Sequence, residues 1–278
     1  MRSGMREPPV LCKVTDILSR RFALLLSAAL VAVLAADVMQ VTKASGLSAV
    51  SCAPTFYRDE PDVPGFVVQF RDRISKSAER YDLPAELVAA VIVNHQAKIS
   101  SRDRFTDCVG SALGADVSVG LAQVRLSTAA RLDGAELEGL TASEYRGLRS
   151  RLLDPEQNIA YEARELRALL EQDHRFPGVG AQTLIHDPYI MALLVTEYRM
   201  GRLETPNGSS RLSGAAFDAL RWIEQGSIDL FDRNPAEMAQ IRSEVRAYLH
   251  HIYCDSGIFN SSACEAWTRF LGGQRPEA

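Results

Sequence analysis

The chain has 278 residues, 46% of them hydrophobic, which is enough for one large domain or two small ones to bury a core. Its 31 Lys and Arg against 35 Asp and Glu leave a net charge of −4. The two signs are mixed along the chain, and the missing basic stripe argues against nucleic acid as a partner.

The N-terminus reads as a segment apart from the fold. Arg2, Arg6, Lys13, Arg20 and Arg21 precede an uncharged apolar run, Phe22–Ala36. Val33-Leu34-Ala35 and Leu34-Ala35-Ala36 both fit small-residue cleavage sites, the pattern of a bacterial-type secretory signal. The run is shorter than the roughly 20 residues that a spanning helix needs. Residues 1–36 are therefore expected to export the chain, either as a removed signal or as a retained inner-membrane anchor facing the periplasm. Membrane contact is expected only through that segment if it stays uncleaved. Residues 37–65, rich in turn formers, read as a linker.

From Phe66 onward the periodicity is almost entirely helical. Val68, Phe70, Ile74 and Ala78 share one face of a predicted helix over Val67–Tyr81. Pro84 marks the start of the next, where its missing N–H costs nothing. Glu86–Gln96 is apolar nearly all round and is expected to be a buried central helix. Ile99–Gly120 reads as a long loop or small β-element, the kind of insertion that is usually functional. Helices are then expected over Leu121–Leu132, Ser143–Leu153 and Glu156–Leu170. The last has Asp154 as N-cap, Pro155 as first residue, and Ile159, Ala163, Leu166 and Leu170 on one face. A second buried helix, Tyr189–Met200, ends at Gly201. Helices over Ser213–Gln225 and Pro235–Tyr253 close the core, and residues 254–278 read as a C-terminal tail.

Of the 5 cysteines, Cys12 would leave with a cleaved signal. Cys52, Cys108, Cys254 and Cys264 remain, an even number in an exported chain. Cys254 and Cys264 are close enough to close a polar loop, and Cys52 would then pair with Cys108. Free buried thiols are the alternative. No cysteine or histidine spacing suggests a metal, and no cofactor is implied.

Several motifs occur in one order. Leu87–Val93 is followed by Asn94-His95-Gln96, then by Gly120-Leu121-Ala122-Gln123 with Ser127-Thr128-Ala129. Asp154-Pro155-Glu156-Gln157-Asn158-Ile159, Glu197-Tyr198-Arg199-Met200-Gly201 and Glu244-Val245-Arg246-Ala247-Tyr248 follow. Over Phe66–Tyr253 this set resembles the lytic transglycosylase and goose-type lysozyme superfamily. The resemblance implies a mainly α, lysozyme-like single domain over residues 66–253, with a long loop after the central helix. It also implies peptidoglycan glycan strands as partner, with an envelope machine as a further one. By the same resemblance Gln96, Gln123, Glu197 and Tyr198 are substrate-binding positions and Asp116 an assisting acid.

The departures fall at the centre of the site. The family's catalytic Glu is His95 here, its Ser is Gln96, and its Asn is Arg199. Glycosidic cleavage needs an acid for the leaving oxygen and stabilisation of an oxocarbenium-like centre. A buried carboxyl does both. Burial lowers a histidine pKa, and an imidazolium is a cation beside a forming cation. Losing general acid catalysis alone costs roughly 10²–10⁴-fold. The expectation is glycan recognition with lost or much reduced cleavage. The competing readings are an active enzyme using His95 or a relocated acid (Glu197, Asp107 or Asp116), and a partner-binding module with a filled cleft. Each residue also has a plainer reading: His95 as a core histidine, Gln123 as a bridge to buried backbone, Tyr198 as packing, and Arg246 as half of an ion pair.

Overall fold

Helix ends in this chain are set by local capping chemistry, and most lie where the sequence puts them. The structure, a computed structural model, describes residues 63–173, 176–200, 212–226, 231–256 and 261–273. The apolar N-terminal run, most of the linker, Cys12, Cys52, His174 and Gly201 fall outside those residues. The described residues are 76% helical and 2% strand, which makes the fold mainly α. None of the described helices is long and apolar enough to cross a membrane.

Helix α1, Val63–Arg80, begins inside the expected linker and buries Val67, Phe70, Ile74 and Ala78; Val68, expected on that face, is 56% exposed, and Val67 takes its place. Helix α2, Ala85–Lys98, follows Pro84, which holds the N-cap position. Every side chain from Leu87 to Val93 is at most 1% exposed, so α2 is the central helix its composition predicts.

The next segment corrects the sequence reading. Ile99–Gly120 is not a long loop: Ser101–Ala112 forms helix α3. Ser100 accepts from the Asp103 N–H, and the Asp103 carboxylate accepts from the Ser100 N–H, a reciprocal capping box. Apolar periodicity missed this helix because it lies at the surface, with Phe105 67% exposed. Only Leu113–Val117 remains as loop before a small hairpin, β1 (Ser118–Val119) antiparallel to β2 (Val124–Arg125). The hairpin shortens the helix expected over Leu121–Leu132. That helix, α4, spans Leu126–Leu132, and Gly120–Gln123 is the hairpin turn.

The remaining helices follow their caps. Thr141 and Glu144 form a capping box for α5, Ala142–Leu153. Asp154 caps α6, Pro155–Gln172, with Pro155 in its first turn as expected. A short helix α7, Ala181–Ile185, leads to α8, Pro188–Met200, whose residues Ile190–Glu197 are buried. Ser213 caps α9, Gly214–Glu224, and Asn234 caps α10, Pro235–His250. Central α2 packs against α1, α6 and α9, while α8 packs against α6 and α9.

The C-terminal segment is more than a tail. After a π-helical turn, His251–Asp255, Ser261–Gly273 forms helix α11. Cys254 and Cys264 are disulfide-bonded, and buried Trp267 stacks on Tyr253 at 5.4 Å between ring centroids. Cys108 on α3 is disulfide-bonded as well. Arg246 pairs with Glu224 at 2.6 Å, the plainer of its two readings.

Candidate functional site

The turn Gly120-Leu121-Ala122-Gln123 is the anchor of the site, and side chains from α2, α6 and α8 hold it by its backbone. Gln96 from α2 donates to the Leu121 carbonyl. Asn158 from α6 accepts from the Ala122 N–H at 2.6 Å and donates to the Val119 carbonyl at 2.9 Å. Tyr198 from α8 donates to the Ala122 carbonyl at 3.2 Å. These groups are buried or nearly so, where an unmade hydrogen bond costs about 1–3 kcal/mol. Gly120 has φ +81°, and a Cβ there would lie 2.1 Å from the Leu152 carbonyl oxygen, so only glycine fits. Gln123 has φ +56°, a left-handed conformation uncommon outside glycine. Its amide folds back to donate to the Gly120 carbonyl at 2.9 Å.

Beside this turn run two adjoining cavities of about 770 and 610 Å³. Both are lined by His95, Ser118, Gln123, Arg199 and Met200, which makes them one groove with His95 at its middle. Glu165, Glu197 and Tyr198 line the larger cavity, and Lys98, Asp103 and Asp107 the smaller. Residues of three of the motifs singled out in the sequence, around His95, Gln123 and Tyr198, therefore line one open groove, whereas none of Glu244–Tyr248 does.

His95 sits at the end of α2, half-buried, with Tyr198 edge-on to its ring at 5.7 Å. Its Nδ1 lies 3.5 Å from Arg199 Nη1, a donor-only group, a contact that is a hydrogen bond only in the tautomer with the ring proton on Nε2. Burial lowers its pKa from 6.5 to about 4, and the Arg199 and Lys98 charges add to the shift. At neutral pH the imidazole is uncharged. It can donate or accept a hydrogen bond, but at neutral pH it lacks the second proton that a histidine general acid would give up.

The other expected site residues divide. Gln123 and Tyr198 line the groove, and burial beside Glu162 and Glu165 holds the Tyr198 hydroxyl far above its usual range. Glu197 lines it too and is 5% exposed. Gln96 does not: it is buried and spent on the Leu121 carbonyl. Asp116 lines neither cavity. Its carboxylate accepts from the Ser127 N–H at 2.9 Å and from the Ser127 hydroxyl at 2.8 Å, the turn-capping use common for a loop Asp. Asp107 belongs to α3 rather than a loop, and burial, then Asp103, raises its pKa.

Two acids escaped the sequence reading. Glu165 lines the larger cavity and pairs with Arg131 at 2.6 Å, yet burial still raises its pKa against that cation. Glu162, one turn earlier on α6, is 0% exposed, and neither carboxyl oxygen has a hydrogen-bond partner among the described residues. Burial pushes its pKa far up, so it stands as a neutral acid behind Tyr198. A signal existed: Glu162 falls on the helical stripe of Ile159, Leu166 and Leu169, where a charge has no place.

Among the described residues no group of His, Cys, Asp and Glu has the arrangement of a metal site. His186 pairs instead with Glu244 at 2.7 Å, away from the groove residues. Compared with protein-family models, with curated proteins and with solved structures, the chain matches none.

Proposed function

We propose that this is an exported, periplasmic, lysozyme-like protein that recognises peptidoglycan glycan strands and cleaves them weakly or not at all. The observation that carries the reading is the groove itself. His95, Gln123 and Tyr198, from motifs far apart in sequence, line one open groove. Asn158 from a further motif fastens the turn that presents Gln123. At the acid position stands an imidazole that is neutral at pH 7. A neutral, half-buried ring offers hydrogen bonding and ring contact to a sugar, without the proton or the anion that splits the glycosidic bond. The cavity of about 770 Å³ argues against a filled cleft.

A second reading keeps the chemistry and moves the acid. Glu165 is groove-lining and mostly buried, with a raised pKa, as a general acid should be. Its ion pair with Arg131 opposes that role, since the pair favours the carboxylate.

Insoluble murein separates these readings. The wild type should be retained on purified murein sacculi and release no anhydromuropeptides, and His95→Glu should gain release. Turnover by the wild type that disappears in Glu165→Gln and survives in His95→Ala would establish the second reading. No retention at all would end both.

A further inference from the structure

Among the described residues the groove is lined by Lys98, Arg125, Arg131 and Arg199 and by the acids Asp103, Asp107, Glu165 and Glu197, but not every cation is paired. Two of these cations are matched: Arg131 with Glu165, and Lys98 with Asp218. Arg199 and Arg125 differ. Both are exposed, both line the larger cavity, and neither has a carboxylate within ion-pair distance among the described residues. Arg199 lines both cavities, with a guanidinium nitrogen 3.5 Å from the His95 ring. Neutral sugar hydroxyls do not call for this arrangement. A guanidinium fork beside a ring nitrogen matches the two oxygens of a carboxylate.

We infer that the groove contains an anion subsite, formed by Arg199 and His95, that takes the carboxylate of an acidic sugar or of a peptide attached to it. The inference rests on the glycan reading and deepens it by naming the recognised group. On a bare glycan strand the carboxylate is the lactyl group of a muramic acid residue. On a peptide-bearing strand the lactyl group is amidated, and the carboxylates belong to the stem peptide.

Charge linkage gives the subsite a signature. Among the described residues the charged and titratable groups lining the groove with the imidazole are Arg199, Tyr198 and Glu197 from α8, Lys98 from its own helix, Asp103 and Asp107 from α3, Arg125 from β2, Arg131 from α4 and Glu165 from α6. Asp103 is occupied by Ser100, and Lys98 by Asp218. Burial and the two cations hold the free ring's pKa at about 4. A bound carboxylate offsets those cations and favours the imidazolium, which then donates to the anion. Binding therefore takes up a proton, and affinity rises as the pH falls from 7 toward 5.

The test follows the His95 ring by NMR in the full chain. The probes are the peptide-free disaccharide of N-acetylglucosamine and N-acetylmuramic acid, its lactyl methyl ester, a muramyl peptide, and D-lactate alone. The acid disaccharide is expected to bind about tenfold more tightly than its ester at pH 5.5, with a raised His95 pKa. Arg199→Met should erase that preference, and Arg199→Lys should restore part of it. A preference shown only by the muramyl peptide keeps the subsite and assigns the carboxylate to the stem. Equal binding of acid and ester, or a preference that survives in Arg199→Met, overturns the subsite while leaving glycan recognition standing. If no sugar binds but D-lactate shifts His95 through Arg199, the subsite holds and the glycan reading falls. If lactate leaves the ring unmoved as well, both fall.

Discussion

Gly120 and Asn158 show how single residues fix the site. An alanine at position 120 would need a left-handed backbone and would drive its methyl into the Leu152 carbonyl. Gly120→Ala should cost about 2–4 kcal/mol in urea unfolding, strain and overlap together. A loss below about 0.5 kcal/mol would mean the turn is free to move. Asn158→Leu strands the Ala122 N–H of that turn and the Val119 carbonyl of β1 and should cost a similar amount. Glu162 works in the opposite sense. Its folded-state pKa lies above the ordinary carboxyl value, so the folded chain keeps a proton that the unfolded chain releases above about pH 4.5. Stability therefore falls as the pH rises past that value. Glu162→Met should remove this slope and add about 1–3 kcal/mol at pH 8, with a smaller gain at pH 4. Melting temperatures across that range would read it out. His95 tilts the other limb. Its pKa drops from 6.5 to about 4 on folding, so stability is lost as the pH falls through that window. His95→Gln should flatten it.

At the scale of elements, capping chemistry outperforms periodicity. The α3 capping box was present in the sequence as Ser100 and Asp103, but a surface helix shows little apolar rhythm, so the segment read as loop. The hairpin turn was hidden for a related reason. Leu121 and Ala122 are apolar because they are buried beneath the groove, not because they belong to the helix that follows. Helix α11 depends on its attachment. The disulfide Cys254–Cys264 and the stack of Trp267 on Tyr253 hold it to the end of α10. The chain-entropy model gives a loop of this length about 3 kcal/mol. Replacing both cysteines by serine should release α11 before the rest unfolds, seen as a shift in Trp267 fluorescence at denaturant levels that leave far-UV signal unchanged. Coincident transitions would show instead that α11 is part of the cooperative core.

Over the whole molecule, buried helices α2, α6 and α8 meet beneath one groove, and their polar side chains point to its turn. Gln96, Asn158 and Tyr198 form that bridge. The murein experiment therefore tests architecture as well as activity. If His95→Glu gains lysis, the groove is already shaped for cleavage and lacks only its acid. If it gains none while binding persists, the charge pattern around Arg199 has changed what the groove is for.

The sequence by itself determined the helical class, the central position of α2 and most helix starts, and it singled out His95, Gln123 and Tyr198, which line the groove. Those features depend on local chemistry: periodic burial, caps, and proline or glycine at positions with one permitted geometry. Only the tertiary structure decided which polar side chains face the groove. Asp116 and Gln96 were drawn off to partners within reach, Glu165 was brought in to line the groove, and Glu162 from the same helix was buried. Solvation and pairing of a charged side chain depend on neighbours distant in sequence, and folding alone sets that neighbourhood.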